Sequence, residues 1–300
     1  MAFQRIVVIG GGVMGQGISR VVAATGTEVT LVEQNEELAK RAMEGIGEHM
    51  DREIEKWGLT SSEKKAILSR ITPKWDVKEA AKVRMVIESI QEDIEAKKAL
   101  FRRLDEICKP NTVLVTNTST LSITEIAAAS NRPDKVIGMH FLNPVEKIPL
   151  AEVVRGLKTS DETFTTIKQF ASELGKTVIS VSEYPGYVTT RIIVPMLNEA
   201  MHVLMEGIAE AEDIDTAIKL GFGLNIGPLS LADRMGLDEV MSWMENLLKE
   251  LSEHKYNPCP LLRKMVRAGH LGVKTGRGFF KYDEEGNRIR EERIDELKTL

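Results

Sequence analysis

Cysteine is scarce: there are two in 300 residues, Cys108 and Cys259, far apart and in no metal-ligand spacing. That excludes a disulfide framework and a cysteine-based metal site. Both thiols are expected to be reduced, structural residues of a cytoplasmic protein, with no metal bound. Long apolar runs are missing too. No stretch approaches the roughly 18 uninterrupted apolar residues that cross a bilayer. The opening MAFQRIVVIGGG lacks the longer apolar stretch and small-residue cleavage site of a signal peptide. A soluble chain with no membrane partner is expected. Nor is there a surplus of positive charge, the formal net charge being -5, which argues against a nucleic-acid partner. Internal repeats and low-complexity tracts are absent.

What is present is a globular composition, 42% hydrophobic and 28% charged, in a chain longer than one compact core usually holds. Two domains are therefore expected. From Arg5 to about Ser182, short β-branched runs alternate with helical stretches, as a parallel sheet with crossover helices requires. The predicted strands are Arg5 to Ile9, Glu28 to Val32, Met85 to Ser89, Val113 to Asn117, Val136 to His140, Ala151 to Arg155 and Thr177 to Val181. Helical stretches begin near Met14, Asn35, Ile94, Ser122 and Asp161, several opened by residues able to cap free backbone N–H groups. The fold class is α/β, a Rossmann-type doubly wound and mostly parallel sheet over residues 1–183. After Tyr184-Pro185-Gly186 the β-branched runs stop, and apolar residues recur at helical spacing, as at Val194, Leu197, Met201, Leu204 and Met205. An all-helical domain is expected over 184–283. Residues 284–300 form a charged extension whose regular apolar points are Ile289, Ile294 and Leu297, and a docked helix and a solvated tail both stay open.

The first strand runs into Gly10-Gly11-Gly12-Val13-Met14-Gly15, a G-x-G-x-x-G followed by the apolar face of a helix. Gly10 permits the tight turn, Gly12 lets the backbone approach a pyrophosphate, and Gly15 lets the helix pack close to the sheet. The pyrophosphate then meets unpaired N–H groups at the positive end of the helix. Such a run alone is weak, but here it has the right strand, the right helix and a partner. Glu33 lies 18 residues after Gly15, at the end of the second strand, where an acidic side chain accepts from the adenosine ribose hydroxyls and repels a 2′-phosphate. No arginine stands near it before Arg41, so NAD is expected rather than NADP.

The segments TNTSTLSITEIA (116–127), KVIGMHFLNPV (135–145) and IGPLSLAD (226–233) resemble the 3-hydroxyacyl-CoA dehydrogenase family, most closely its short-chain 3-hydroxybutyryl-CoA members. The likeness runs from the first strand to about Tyr282, and GGGVMGQGI, the His-Phe-x-Asn-Pro run and the late KTGRGF block are together highly specific. It implies that His140 is the catalytic base and that Glu152, twelve residues on, orients it. The chemistry agrees, because taking a proton from a secondary alcohol requires a base titrating near neutrality, and a carboxylate on the other ring nitrogen fixes the tautomer. His140 also ends a strand in the nucleotide-binding half, whereas His202, His254 and His270 lie in the helical half and read as surface or packing residues. By the same matching Ser119 contacts substrate oxygen near the nicotinamide, Asn117 reaches the cofactor ribose, and Glu92 and Lys97 stand around the nicotinamide ribose. Lys274 reaches the cofactor from the second domain, Lys56 and His49 lie on the CoA side, and Asn143 is a further substrate contact. Without the family, the Asn117–Ser119 run reads as a helix-capping loop, Glu92 and Lys97 as a solvated surface pair, and Lys274 as a plain turn lysine.

Besides His49, an atypical residue type at its position, the match breaks at one place. The family's Pro-Gly-Phe-x-x-Asn-Arg run stands here as Pro185-Gly186-Tyr187-Val188-Thr189-Thr190-Arg191, with Thr190 replacing the active-site asparagine. A hydroxyl is shorter than an amide and has one donor. The resemblance implies an NAD-dependent oxidoreductase of fatty-acid and butanoate metabolism that interconverts a short 3-hydroxyacyl-CoA and the 3-oxoacyl-CoA, working as a homodimer through its helical domain. Two other readings stay open: a related dehydrogenase of a free hydroxy acid of the sugar-acid or carnitine type, with Arg191 as its carboxylate clamp, and an NAD-binding subunit without catalysis.

Overall fold

The computed structural model describes residues 3–289, and the chain divides after Val188 into two compact units. The first is built on β1 (Arg5–Ile9), α1 (Val13–Ala24), β2 (Glu28–Val32), α2 (Glu36–Glu55), α3 (Ser61–Leu68), β3 (Ile71–Lys74), β4 (Met85–Glu88) and α4 (Ile94–Ile107). It continues with β5 (Val113–Thr116), α5 (Ile123–Ala128), β6 (Val136–Phe141), β7 (Leu150–Arg155), α6 (Asp161–Glu173) and β8 (Thr177–Ser182). The strands form one eight-stranded sheet in the order β3-β2-β1-β4-β5-β6-β7-β8. Every neighbouring pair is parallel except β6 and β7.

Because helices cover both faces, the central strands are apolar on both sides. Ile6 and Val8 of β1 enter one core with Ile18 and Met50, while Val7 and Ile9 enter the other with Phe101 and Leu114. Helix starts are fixed locally: Asn35, Asp93, Ser122 and Ser160 each accept a backbone N–H of the first turn. Thr60 and Glu63 make a reciprocal capping box at α3.

Two elements of this unit depart from the sequence reading. β3 was hidden by Pro73, which lacks the N–H that a central strand must donate, but β3 is the outer strand of the sheet, where proline is tolerated. α3 merged in the sequence with the long helical stretch before it, and the break comes at Trp57, whose φ of 56 turns the chain out of α2.

The second unit is helical: α7 (Thr189–Met205), α8 (Ala211–Phe222), α9 (Pro228–Met235), α10 (Leu237–Leu251) and α11 (Pro260–Arg267). Its core gathers Leu197, Met201, Leu229, Val240, Met244 and Tyr256. Two buried carboxylates pin the start of α9 and the chain after α11. Asp215 accepts the N–H groups of Leu229 and Ser230, and Asp233 accepts those of Phe279 and Phe280 together with the Tyr282 hydroxyl. The unit also carries a two-stranded antiparallel ladder, β9 (Lys281–Tyr282) with β10 (Arg288–Ile289), too short to show in a period-two pattern. The charged extension thus begins as a turn and β10, while Ile294 and Leu297 lie outside the described residues. No described helix is long and apolar enough to cross a membrane.

Candidate active site

Parallel strands bring their C-terminal ends to one edge of the sheet, which is where loops can gather around a ligand. At the end of β1, Gly10 has φ +100, and a Cβ there would lie 2.4 Å from the Ser89 carbonyl oxygen. A Cβ on Gly15 would lie 1.7 Å from the Gly10 carbonyl, so the turn and α1 pack this closely only as glycines. Around Gly12 a Cβ would meet nothing within 4 Å. Gly12 caps α1 with no side chain over its first N–H groups, leaving room and donors for a pyrophosphate. Val13 is exposed and Met14 half-buried in that first turn. Glu33 follows β2 and accepts the N–H groups of Gly11 and Gln34. Gly10, Gly12, Glu33, Gln34 and Trp75 line one cavity of about 580 Å³. Open space at Gly12, uncapped donors and an acidic side chain one strand away fit a dinucleotide with free ribose hydroxyls.

The ends of β4 and β5 hold a second cluster. One oxygen of Glu92 faces the Thr118 hydroxyl at 2.6 Å, the Ser119 N–H at 2.9 Å, the Thr120 N–H at 3.1 Å, and the Ser119 and Thr120 hydroxyls at 3.3 and 3.2 Å. Burial pushes the Glu92 pKa up, but Lys97 and these donors outweigh it and hold the carboxyl below its ordinary range. Lys97 is not a solvated surface residue. It is fully buried, with Nζ 2.6 Å from Glu88 and 3.6 Å from the second Glu92 oxygen. Asn117 accepts the Phe141 N–H at 3.0 Å, tying β5 to β6.

His140 and Glu152 are direct cross-strand partners in the antiparallel β6–β7 pair, which is how a twelve-residue spacing becomes a contact. His140 Nδ1 lies 2.6 Å from one Glu152 oxygen, and the other oxygen accepts the Val188 N–H at 3.0 Å. A carboxylate only accepts, so Nδ1 carries the proton and Nε2 is left free to take one. Glu152 is fully buried and His140 nearly so. The Tyr187 ring packs 5.7 Å from the imidazole, with φ of 51 after the Pro185-Gly186 turn. Burial, and then the carboxylates of Glu92, Glu183 and Glu152, push its phenol pKa well up, so it stays neutral.

His49, Lys56 and Asn143 make none of the contacts just described. His49 Nε2 lies 3.2 Å from Glu146 on the inner side of α2, and Lys56 is exposed where α2 ends. Asn143 is exposed after β6. In the helical unit, Thr190 is buried in the first turn of α7, and Lys274 Nζ pairs with Asp238 at 2.6 Å. The sequence reading passed over Glu88, Thr118, Thr120, Tyr187 and Trp75. Only Tyr187 carried a local signal, the turn imposed by Pro185-Gly186.

A glycine turn and ribose-length acidic side chain on one sheet edge, beside a buried imidazole, define an NAD-dependent oxidoreductase. The family model "3-hydroxyacyl-CoA dehydrogenase, NAD binding domain" matches residues 5–184, and "3-hydroxyacyl-CoA dehydrogenase, C-terminal domain" matches 186–282. A Bacillus subtilis protein named probable 3-hydroxybutyryl-CoA dehydrogenase is 46% identical over 95% of this chain and 99% of its own length. A Clostridioides difficile 3-hydroxybutyryl-CoA dehydrogenase is 41% identical over 93% of this chain and all of its own. The solved (S)-3-hydroxybutyryl-CoA dehydrogenase of Ralstonia eutropha superposes with a TM-score of 0.85 at 40% identity, covering 94% of this chain and all of that one. The chain belongs to the 3-hydroxyacyl-CoA dehydrogenase family, and NAD is the cofactor of that family's N-terminal domain.

Proposed function

We propose that the protein oxidises the C3 hydroxyl of a short 3-hydroxyacyl-CoA, 3-hydroxybutyryl-CoA in the first instance, and catalyses the reverse reduction. The observation that carries the proposal is the buried His140–Glu152 pair at 2.6 Å, on the sheet edge that also bears the glycine turn. Bound along Gly10 to Gly15 and Glu33, NAD supplies the hydride acceptor. His140 Nε2 takes the hydroxyl proton as the C3 hydrogen leaves as hydride, so the alcohol becomes a ketone and the proton stays on the imidazole. Glu152 stabilises the imidazolium that forms and keeps Nδ1 protonated throughout. Glu92 fixes the loop that presents Ser119 to substrate oxygen, and Asn143, exposed after β6, is a further candidate substrate contact. Lys56 offers a cation for the CoA phosphates, with His49 two helical turns before it.

A free hydroxy acid requires a cationic clamp, and the candidate Arg191 has its guanidinium drawn to Glu253 at 3.8 Å. That observation favours the thioester. The helical unit leaves Ile192, Leu220 and Phe222 68%, 80% and 74% exposed, an apolar display that supports a homodimer formed through this unit. The two buried cysteines suit a reducing, cytoplasmic compartment. The test is NADH absorbance with 3-hydroxybutyrate, 3-hydroxybutyryl-CoA and longer thioesters, in the parent and in His140→Gln. Turnover confined to the thioesters and lost in the variant supports the reading, while turnover of the free acid or an active variant rejects it.

A further inference from the structure

The strand order lays out the dinucleotide pocket by position. Gly10 to Gly12 end β1, Glu33 ends its neighbour β2, and the next strand outward is β3, which ends in Lys74 and Trp75. Adjacent strands lie about 4.8 Å apart, so each step outward advances by roughly the width of one nucleotide part. With the pyrophosphate over β1 and the ribose on Glu33, the base falls beside β3. Trp75 is there: it lines the same cavity as Gly10, Gly12 and Glu33, and its other lining residues include Ile90, Ala96 and Leu100, an apolar wall from the loop after β4 and the first half of α4.

The chain is held at this position. On one side the Glu33 N–H bonds the Lys74 carbonyl at 2.9 Å, and on the other Asp76 caps the Lys78 N–H at 2.9 Å. The backbone of Trp75 is thus fixed between a ladder bond and a cap, while the residue is 52% exposed. A large apolar ring left half in water at the rim of a cavity costs hydration free energy that burial under a ligand recovers. A flat, apolar, π-electron surface recognises a flat aromatic base, by stacking that needs no hydrogen-bond code.

We propose that Trp75 is an adenine-binding residue, whose indole stacks on the adenine of NAD while Glu33 takes the adjoining ribose. The probe is ADP-ribose, which carries adenine, ribose and pyrophosphate but no nicotinamide, with nicotinamide mononucleotide as the control that lacks adenine. ADP-ribose should quench the indole emission of the parent by direct stacking. In Trp75→Ala, where Trp57 and Trp243 remain, that quench should vanish and the Kd for ADP-ribose rise on the order of tenfold. Trp75→Phe should recover most of the affinity, and nicotinamide mononucleotide should bind all three proteins alike. In steady state the KM for NAD should rise in Trp75→Ala while that for the acyl-CoA holds. Parent-like ADP-ribose affinity in Trp75→Ala, or a quench that survives removal of Trp75, overturns the proposal. So does an equal loss of affinity for nicotinamide mononucleotide, which marks damage to the whole pocket. Trp75→Phe keeps the test alive should the alanine variant fail to fold.

Discussion

Replacing Glu152 by glutamine removes one charge and one acceptor, and the surroundings leave the amide no good orientation. Both carboxylate oxygens face donors, His140 Nδ1 at 2.6 Å and the Val188 N–H at 3.0 Å. If the amide oxygen faces His140, its NH2 group opposes the Val188 N–H and leaves a buried donor unpaired, a cost of about 1–3 kcal/mol. If the NH2 faces His140 instead, Nδ1 must accept and the ring proton moves to Nε2, which then has no lone pair for the substrate proton. In either orientation the imidazolium loses its counter-charge, a hydrogen bond worth about 1.5–3 kcal/mol. Together these place the loss in kcat at about 10²- to 10⁴-fold. NADH binding, governed by residues on other strands, should stay within about twofold of the parent. The assay pairs acetoacetyl-CoA reduction, followed at NADH absorbance, with NADH titration by fluorescence on the same samples. A variant with parental kcat refutes the reasoning, and so does a fall in kcat matched by an equal fall in NADH affinity.

Three further outcomes are expected. Glu92→Gln removes the charge that faces five donors on one oxygen and turns an NH2 group toward Lys97 Nζ, which stands 3.6 Å from the other, so the Ser119 loop should loosen and kcat/KM for the acyl-CoA fall by about tenfold or more. Limited proteolysis between residues 117 and 121 and thioester kinetics check this, and unchanged values in both reject it. Thr190→Asn restores an NH2 donor, and assay on 3-hydroxybutyryl-CoA beside longer thioesters should show a changed rate or chain-length preference; no change in either removes this position from specificity. Burial raises the pKa of Asp233 to about 6, so the folded state holds that proton more tightly than the unfolded chain does. The stabilisation is complete below about pH 4 and is lost as pH rises through 6. Asp233→Asn cannot titrate, so its destabilisation relative to the parent, read from urea midpoints, should shrink between pH 4 and pH 7; a constant gap contradicts the assignment.

The parts legible in the sequence were those whose neighbours in space are also near in the chain or repeat regularly. The β1 turn with α1, the β-branched strands and the fold class belong here, because glycine spacing and apolar periodicity are local signals. The His140–Glu152 contact was legible only through the resemblance, since spacing alone does not say that the intervening eight-residue connection reverses the chain to make β7 antiparallel. Glu92 was paired in the sequence with Lys97, whose Nζ stands 3.6 Å from it, but its other partners were hidden. Its donors on Thr118, Ser119 and Thr120 converge on it only after β4 and β5 pair. Lys97 sat at a helical position that suggested solvent, and a buried Glu88 nine residues earlier drew it inward. Trp75 gave no signal because an exposed tryptophan acquires meaning only from the cavity it borders.

The antiparallel β6–β7 ladder has a practical consequence. Since His140 and Glu152 owe their meeting to pairing of main chains, lengthening the stretch between Phe141 and Leu150 should leave the two side chains coupled. Deleting one residue inside either strand is a different matter, because it turns every following side chain to the opposite face. Insertions belong in that connection, and the ladder itself must be left untouched.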